Sequence, residues 1–228
     1  MRDEKTEGIV LRSLEYKDRQ RIITVFTAEC GLISLIVKGI SHRSQHLLAL
    51  TSPFCQAEFH FARGRSNLFR FIDGTVTEDH LSLRQKFSFL QTAGSMANAI
   101  LRSQLPEKPS PTLYAFFCAY LKQASLFEAP QALTASFLLK MLKHEGLLAL
   151  NKHCLRCGTM PSSYLEKGES LCQDHAPSHA LYFSDEEWAS LFQLAAAQQF
   201  STLQQLKIDP SLSQKIAQLF DQRMTDDP

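Results

Sequence analysis

The chain has no run of about 20 consecutive apolar residues, the length a membrane-crossing helix requires. Its start, Met1-Arg2-Asp3-Glu4-Lys5, lacks the apolar core of a secretory signal. We therefore expect a cytoplasmic protein with no membrane partner. Three motifs of nucleotide and acyl-transfer chemistry, G-x-x-x-x-G-K-[ST], G-x-G-x-x-G and G-x-S-x-G, are also missing. Paired acids do occur, but Asp185-Glu186-Glu187 suits a helix start and Asp226-Asp227 lies in the tail, while His42, His46, His60 and His80 follow no ligand spacing. The expectation is a protein that is not an enzyme.

Excess charge of one sign is scarce, with a formal net of +1. The balance is uneven along the chain, however. Residues 1–72 hold 11 Lys+Arg against 7 Asp+Glu, a surplus of +4, and the remainder carries −3. A basic first part beside a mildly acidic second part directs any polyanion partner to the first.

Cysteine is sparse and unevenly placed. Of the six, Cys30, Cys55 and Cys118 stand apart in apolar surroundings and read as buried small hydrophobes, whereas Cys154, Cys157 and Cys172 fall in one short segment. A disulfide framework would spread them differently, and a tight cluster in a reducing compartment points to metal.

Short β-branched and aromatic runs fill the first third: Gly8 to Leu14, Arg21 to Thr27, Leu32 to Lys38, Phe54 to Phe61 and Asn67 to Ile72. The fourth alternates, with Ala57, Phe59 and Phe61 on one face and Gln56, Glu58 and His60 on the other. Leu32 to Val37 is apolar nearly throughout, so both its faces need cover. Five such strands in so short a stretch suit a small closed barrel, and we assign an OB-fold to residues 1–78, other small barrels or a sandwich being the alternatives.

Past Asp79 the period becomes helical, which makes the chain α+β and multidomain, with a helical domain over 79–228. The first helix runs to about Gln104, with Phe87, Leu90, Gly94, Ala97 and Leu101 expected as its core stripe. A second spans Pro111 to Ser125. A third, Gln131 to Leu148, is rich enough in Leu, Phe and Met to sit centrally, with Gly146 weakening its last turn. Ser184-Asp185-Glu186-Glu187 forms a capping box, and Pro210-Ser211 precedes a last amphipathic helix. Barrel and helices are free to pack on one another.

Segment 151–183 carries the most specific motif. Cys154-Leu155-Arg156-Cys157-Gly158 is followed by Cys172-Gln173-Asp174-His175, giving C-x2-C and C-x2-H halves. Zinc takes four such N/S ligands tetrahedrally, so Zn2+ at Cys154, Cys157, Cys172 and His175 is expected, with His153 and His179 as alternatives for the fourth place. A filled sphere leaves no open coordination position for substrate, so the metal would be structural.

The cations of the barrel, Arg12, Lys17, Arg19, Arg21, Lys38, Arg43, Arg63, Arg65 and Arg70, fall mostly at strand ends and loops. An OB barrel binds nucleic acid with its sheet face and loops, cations meeting phosphates and aromatic rings meeting bases. From that set Arg19, Arg21, Lys38, Arg43, Arg63, Arg65 and Arg70 are the candidate DNA-binding residues, with Tyr16 or Phe69 as stacking rings.

Three stretches carry a family resemblance: Glu7-Gly8-Ile9-Val10-Leu11-Arg12, Tyr16-Lys17-Asp18-Arg19-Gln20-Arg21 continuing to Thr27, and Gly31-Leu32-Ile33-Ser34-Leu35-Ile36-Val37-Lys38-Gly39. In order and spacing they resemble the N-terminal signature of the RecO family. The barrel, helices and cysteine segment match its layout over nearly the whole chain. The resemblance implies a recombination mediator that binds single- and double-stranded DNA, anneals complementary strands and, with RecR and RecF, loads RecA onto strands coated by single-strand-binding protein. It also directs attention to Lys38 and Arg43 in the loop after Lys-Gly, and to Arg19 and Arg21 before strand two. Two departures stand out. The loop from Ser41 to His46 is less basic than the family's, and the family often has Cys where this chain has His175. A reading of another class is a protein-interaction adaptor without significant DNA binding.

Overall fold

The computed structural model describes residues 2–64 and 66–225, which fall in two compact units, Met1–Ser125 and Leu126–Pro228. The first begins with β1 (Arg2–Lys17), β2 (Gln20–Thr27), β3 (Gly31–Lys38), the short helix α1 (Gln45–Leu50), β4 (Gln56–Arg63) and β5 (Leu68–Glu78). These strands close a barrel in the order β1-β2-β3-β5-β4, with β3 and β5 parallel and every other pair antiparallel. This is the OB arrangement expected from the sequence. The long β1 makes closure possible, because residues 8–17 pair with β2 while residues 2–9 pair with β4.

Alternation along the strands fills the barrel with Val10, Ile23, Val25, Ile33, Leu35, Val37, Phe59, Phe61 and Phe69, and α1 brings Leu50 into the same core. Leu47 and Leu48 lie against it, half-buried. On β4 the expected inner residues Ala57, Phe59 and Phe61 are fully buried. Gln56, expected on the polar face, is buried as well, because its amide donates to a Glu7 carboxylate oxygen.

A 3-10 turn (Leu81–Gln85) leads to α2 (Phe87–Ser103) and α3 (Pro111–Gln123). The rings of Tyr114 and Phe117 meet Phe26 edge-on at 5.8 and 6.3 Å between centroids, which seats α3 on the barrel. The backbone N–H of Glu107 donates to the Leu32 carbonyl at 3.0 Å. The core face of α2 differs from the expected stripe. Phe89, Thr92, Ala93, Met96, Ala97, Ala99 and Ile100 are buried, whereas Phe87 is 81% exposed. Small side chains at 93, 97 and 99 permit close packing, which apolarity alone did not reveal.

The second unit comprises α4 (Gln131–His144), the strands β6 (Tyr164–Glu166), β7 (Glu169–Leu171) and β8 (Leu181–Tyr182), then α5 (Asp185–Ala196), α6 (Phe200–Gln205) and α7 (Pro210–Thr225). As expected, α4 is central: nine of its residues are buried, and α5, α6 and α7 pack on it. It ends a turn before Leu148. Gly146, at φ 73°, occupies the left-handed position past the helix end, where its N–H bonds to Lys143 and the N–H of Leu147 to Leu142. This is a Schellman closure, so Gly146 terminates the helix instead of weakening it. The capping box at Ser184 and Glu187 forms as read from the sequence. Among the described residues no helix is long and apolar enough to cross a membrane.

Candidate nucleic-acid face and metal centre

Side chains directly opposite on paired strands share a face, so the register assigns the outer surface of the barrel. Leu14 pairs with Ile22, Ile22 with Ile36, and Ile36 with Arg70, giving one outward row across β1, β2, β3 and β5. A second row runs Arg12, Thr24, Ser34, Leu68. Ile22 and Ile36 are half-buried, while Leu14 and Tyr16 are exposed. The result is an apolar strip edged by the exposed cations Arg12 and Arg70.

Further cations converge at one end of this strip. Arg19 occupies the β1–β2 turn at φ 59°, and its carbonyl accepts from the backbone N–H of Ile40 at 3.0 Å. That bond ties the turn to the loop following β3, which carries Lys38 and Arg43. The loop is held internally by Ser44, whose hydroxyl donates to the Gly39 carbonyl and lies 2.8 Å from the Ser41 hydroxyl. Arg12, Arg19, Lys38, Arg43 and Arg70 are all exposed, and among the described residues none of them forms an ion pair.

Two other candidate cations are committed elsewhere. Arg21 donates to the Thr51 hydroxyl at 3.1 Å, joining β2 to the end of α1, and lies 3.5 Å from Glu15. Arg63 donates to Glu4 at 2.8 Å and also to Glu107, with its guanidinium 4.7 Å from the centroid of the Phe69 ring. Its pairing with Glu4 raises its already high pKa further. Arg65 lies outside the described residues. Phe69 is buried and stacked on Phe61 at 5.7 Å, so it serves the core and not as a stacking platform, whereas Tyr16 is open with Lys17 5.3 Å from its ring centroid. Arg12 was outside the candidate set. The signal that could have found it is its alternation with Leu14 and Tyr16 on β1.

In the second unit, Cys154, Cys157, Cys172 and His175 present four ligand atoms all within 4.8 Å of one another. Both halves of the motif turn alike. The Cys154 carbonyl accepts from the N–H of Gly158 at 2.8 Å, and the Cys172 carbonyl from the N–H of Ala176 at 3.0 Å. Between the halves, β6 and β7 form a hairpin over the expected polar tip, with Lys167 and Gly168 at φ 49° and 79°. Two positive φ values are what a two-residue type I′ turn demands. A Cβ on Gly168 would lie 2.0 Å from the Leu147 carbonyl oxygen, so no other residue fits there.

The spacing suits a tetrahedral ion. Zinc–sulfur and zinc–nitrogen bonds of about 2.3 and 2.05 Å set S···S and S···N edges of roughly 3.8 and 3.6 Å. Here Cys157 Sγ lies 3.7 Å from Cys172 Sγ, and His175 Nδ1 lies 3.6 Å from Cys154 Sγ and 3.3 Å from Cys172 Sγ. Burial raises the Cys154 thiol, yet backbone N–H groups of Cys172, Arg156 and Cys157 outweigh it and bring it down to about 6, favouring the thiolate that binds metal. These four residues could hold a metal ion. The alternatives for the fourth place stand apart: His179 pairs with Glu166 at 3.0 Å, and His153 is exposed outside the cluster.

The family models for the recombination protein O N terminal and C terminal match residues 1–79 and 89–225. The chain belongs to the recombination protein O family. Curated relatives agree. A Chlamydia pneumoniae protein named DNA repair protein RecO is 31% identical over 218 residues, covering 94% of this chain and 86% of its own. Its Chlamydia trachomatis counterpart of the same name, from serovar L2, is 30% identical over 199 residues, covering 86% and 82%. The Bacillus subtilis protein of that name is 28% identical over 160 residues, covering 70% of this chain and 62% of its own. The comparisons thus bear out the RecO resemblance read from the first 40 residues.

Proposed function

We propose that this chain is a non-enzymatic DNA-repair protein of the cytoplasm that binds single- and double-stranded DNA on its barrel and anneals complementary strands. The observation that carries the reading is the apolar strip of Leu14, Ile22 and Ile36, edged by Arg12 and Arg70 and leading to the bonded loops of Arg19, Lys38 and Arg43. Cations along such a strip take phosphates, and the apolar strip with Tyr16 takes the unstacked faces of bases. Annealing then requires no bond chemistry. Neutralising two phosphate backbones removes most of their repulsion, and strands held side by side pair by themselves.

The metal that Cys154, Cys157, Cys172 and His175 would hold is zinc. When bound it supplies cross-linking and no reaction, because four protein ligands complete its sphere. The chain's partners in function are RecR and RecF, single-strand-binding protein and RecA, the last being loaded onto single strands with this chain as mediator. Family membership supports this.

The test is fluorescence-detected annealing of two complementary oligonucleotides, one coated with single-strand-binding protein, with wild type and Lys38→Glu/Arg43→Glu. Rapid annealing by wild type, lost in the folded double variant, is the expected outcome. A wild type that neither binds nor anneals DNA overturns the proposal in favour of a protein-interaction adaptor.

A further inference from the structure

The four ligands are unequal in their access to solvent. Cys154 and Cys172 are 2% and 7% exposed and His175 is half-buried, but Cys157 is open to solvent. Its sulfur lies 2.9 Å from the Thr159 hydroxyl and 3.7 Å from the sulfur of buried Cys172. An exposed cysteine sulfur this close to a second, buried one is the arrangement of a reactive cysteine with its resolving partner. The other cysteines of the chain are placed differently. Burial pushes the thiols of Cys55 and Cys118 up, which disfavours the thiolate, and Cys30 is half-buried and stands outside the cluster.

We propose that the metal centre is a peroxide-sensitive clasp, entered at Cys157 and closed by a Cys157–Cys172 disulfide that expels the metal. The inference rests on the metal reading above. In the first step the Cys157 thiolate attacks hydrogen peroxide. An S–O bond forms, the O–O bond breaks, and hydroxide leaves, giving a sulfenic acid beside the Thr159 hydroxyl. In the second step the Cys172 thiolate attacks the Cys157 sulfur, so that the S–S bond forms, the S–O bond breaks and a second hydroxide leaves. Two thiolates lose one electron each, the peroxide gains two, and two protons from solvent complete two waters. Cys154 and His175 alone then remain as ligands, half of what a structural zinc requires.

The consequence is local. Cys154 to Gly158 and Cys172 to Ala176 are the two turns that the ion would join across the β6–β7 hairpin, and the Leu155 N–H bond to the Ser170 carbonyl at 2.9 Å ties the first turn to β7, just before the second. Reduction by a dithiol followed by zinc restores the clasp, so the centre acts as a reversible sensor and is not merely damaged.

The sequence makes the test clean, because Lys152, Arg156 and Lys167 place Cys154, Cys157 and Cys172 on three different tryptic peptides. The purified full-length chain is first assayed for bound zinc by elemental analysis. Absence of zinc defeats the metal reading itself, before any oxidant is added. Zinc-loaded protein is then titrated with hydrogen peroxide, released zinc is followed with a chromophoric chelator, and the alkylated, unreduced digest is mapped by mass spectrometry. We expect zinc release to rise in parallel with the linked peptides of Cys157 and Cys172, and both to reverse with dithiothreitol and added zinc. Zinc retained after oxidation of the other thiols overturns the proposal. So does release accompanied by a Cys154–Cys157 link, or by sulfinic acid with no link.

Discussion

The backbone N–H of Ile40 donates to the carbonyl of Arg19, joining the β1–β2 turn to the loop that follows β3. Two cations far apart in sequence, Arg19 and Arg43, thereby belong to one patch with Lys38. Each phosphate contact contributes about 0.7–0.9 to the salt slope of DNA affinity. Replacing Arg19 or Lys38 by Ala is expected to lower that slope by roughly one and to weaken binding to all sequences alike. Fluorescence anisotropy over a salt series checks this, and unchanged slopes in both variants would refute the patch.

Arg63 gives the opposite expectation. Its guanidinium is shared between Glu4, Glu107 and the Phe69 ring, so Arg63→Met should leave the salt slope unchanged while lowering stability by about 1–2 kcal/mol, since charged hydrogen bonds are lost at a partly exposed site. Denaturant unfolding beside the anisotropy series separates the two effects.

How far the sequence led depends on which physical signal each element carries. The barrel was legible because period-two alternation is a direct consequence of strand geometry, and the cluster that could hold a metal because its C-x2-C and C-x2-H halves bring four N/S donors together. The committed roles of Arg21 and Arg63 were not legible, since their partners Thr51 and Glu107 stand 30 and 44 residues away and carry no local mark. The short helices α1 and α6 were missed for a related reason. Six residues are too few to show a helical period, and such helices depend on tertiary packing, as Leu50 and Leu203 do when they bury.

The shifted face of α2 can be tested directly. Phe87→Ser should change stability by no more than about 0.5 kcal/mol, as at an ordinary surface site. Phe89→Ala, at a buried position two residues on, should cost about 3–5 kcal/mol. Equal costs at the two positions would restore the stripe expected from sequence.

Glu187 links stability to pH. Burial raises its carboxyl, but the Lys215 ammonium at 2.7 Å and the Ser184 N–H outweigh this and hold it below the ordinary carboxylate range. A depressed native pKa contributes stability above the unfolded value, near 4.5, and that contribution fades as pH falls through the native value. The stability gap between wild type and Glu187→Gln should therefore be full at neutral pH and shrink steadily below about pH 4.5. A gap that stays constant down to pH 3 would show that the ion pair contributes nothing.

Gly168 connects local backbone geometry to the metal centre. Its φ is 79°, and only 2.0 Å would separate an added Cβ from the Leu147 oxygen, so Gly168→Ala must displace the hairpin or the chain following α4. Strain of this kind costs on the order of 1–3 kcal/mol. Because the hairpin sets the distance between the two ligand pairs, the variant is expected to lose zinc to a competing chelator faster than wild type. Removing zinc from wild type should in turn expose the backbone amides of 151–183 to hydrogen exchange while leaving those of the barrel strands protected. Exchange that increases equally in both would mean that the ion supports the whole chain and not this segment alone.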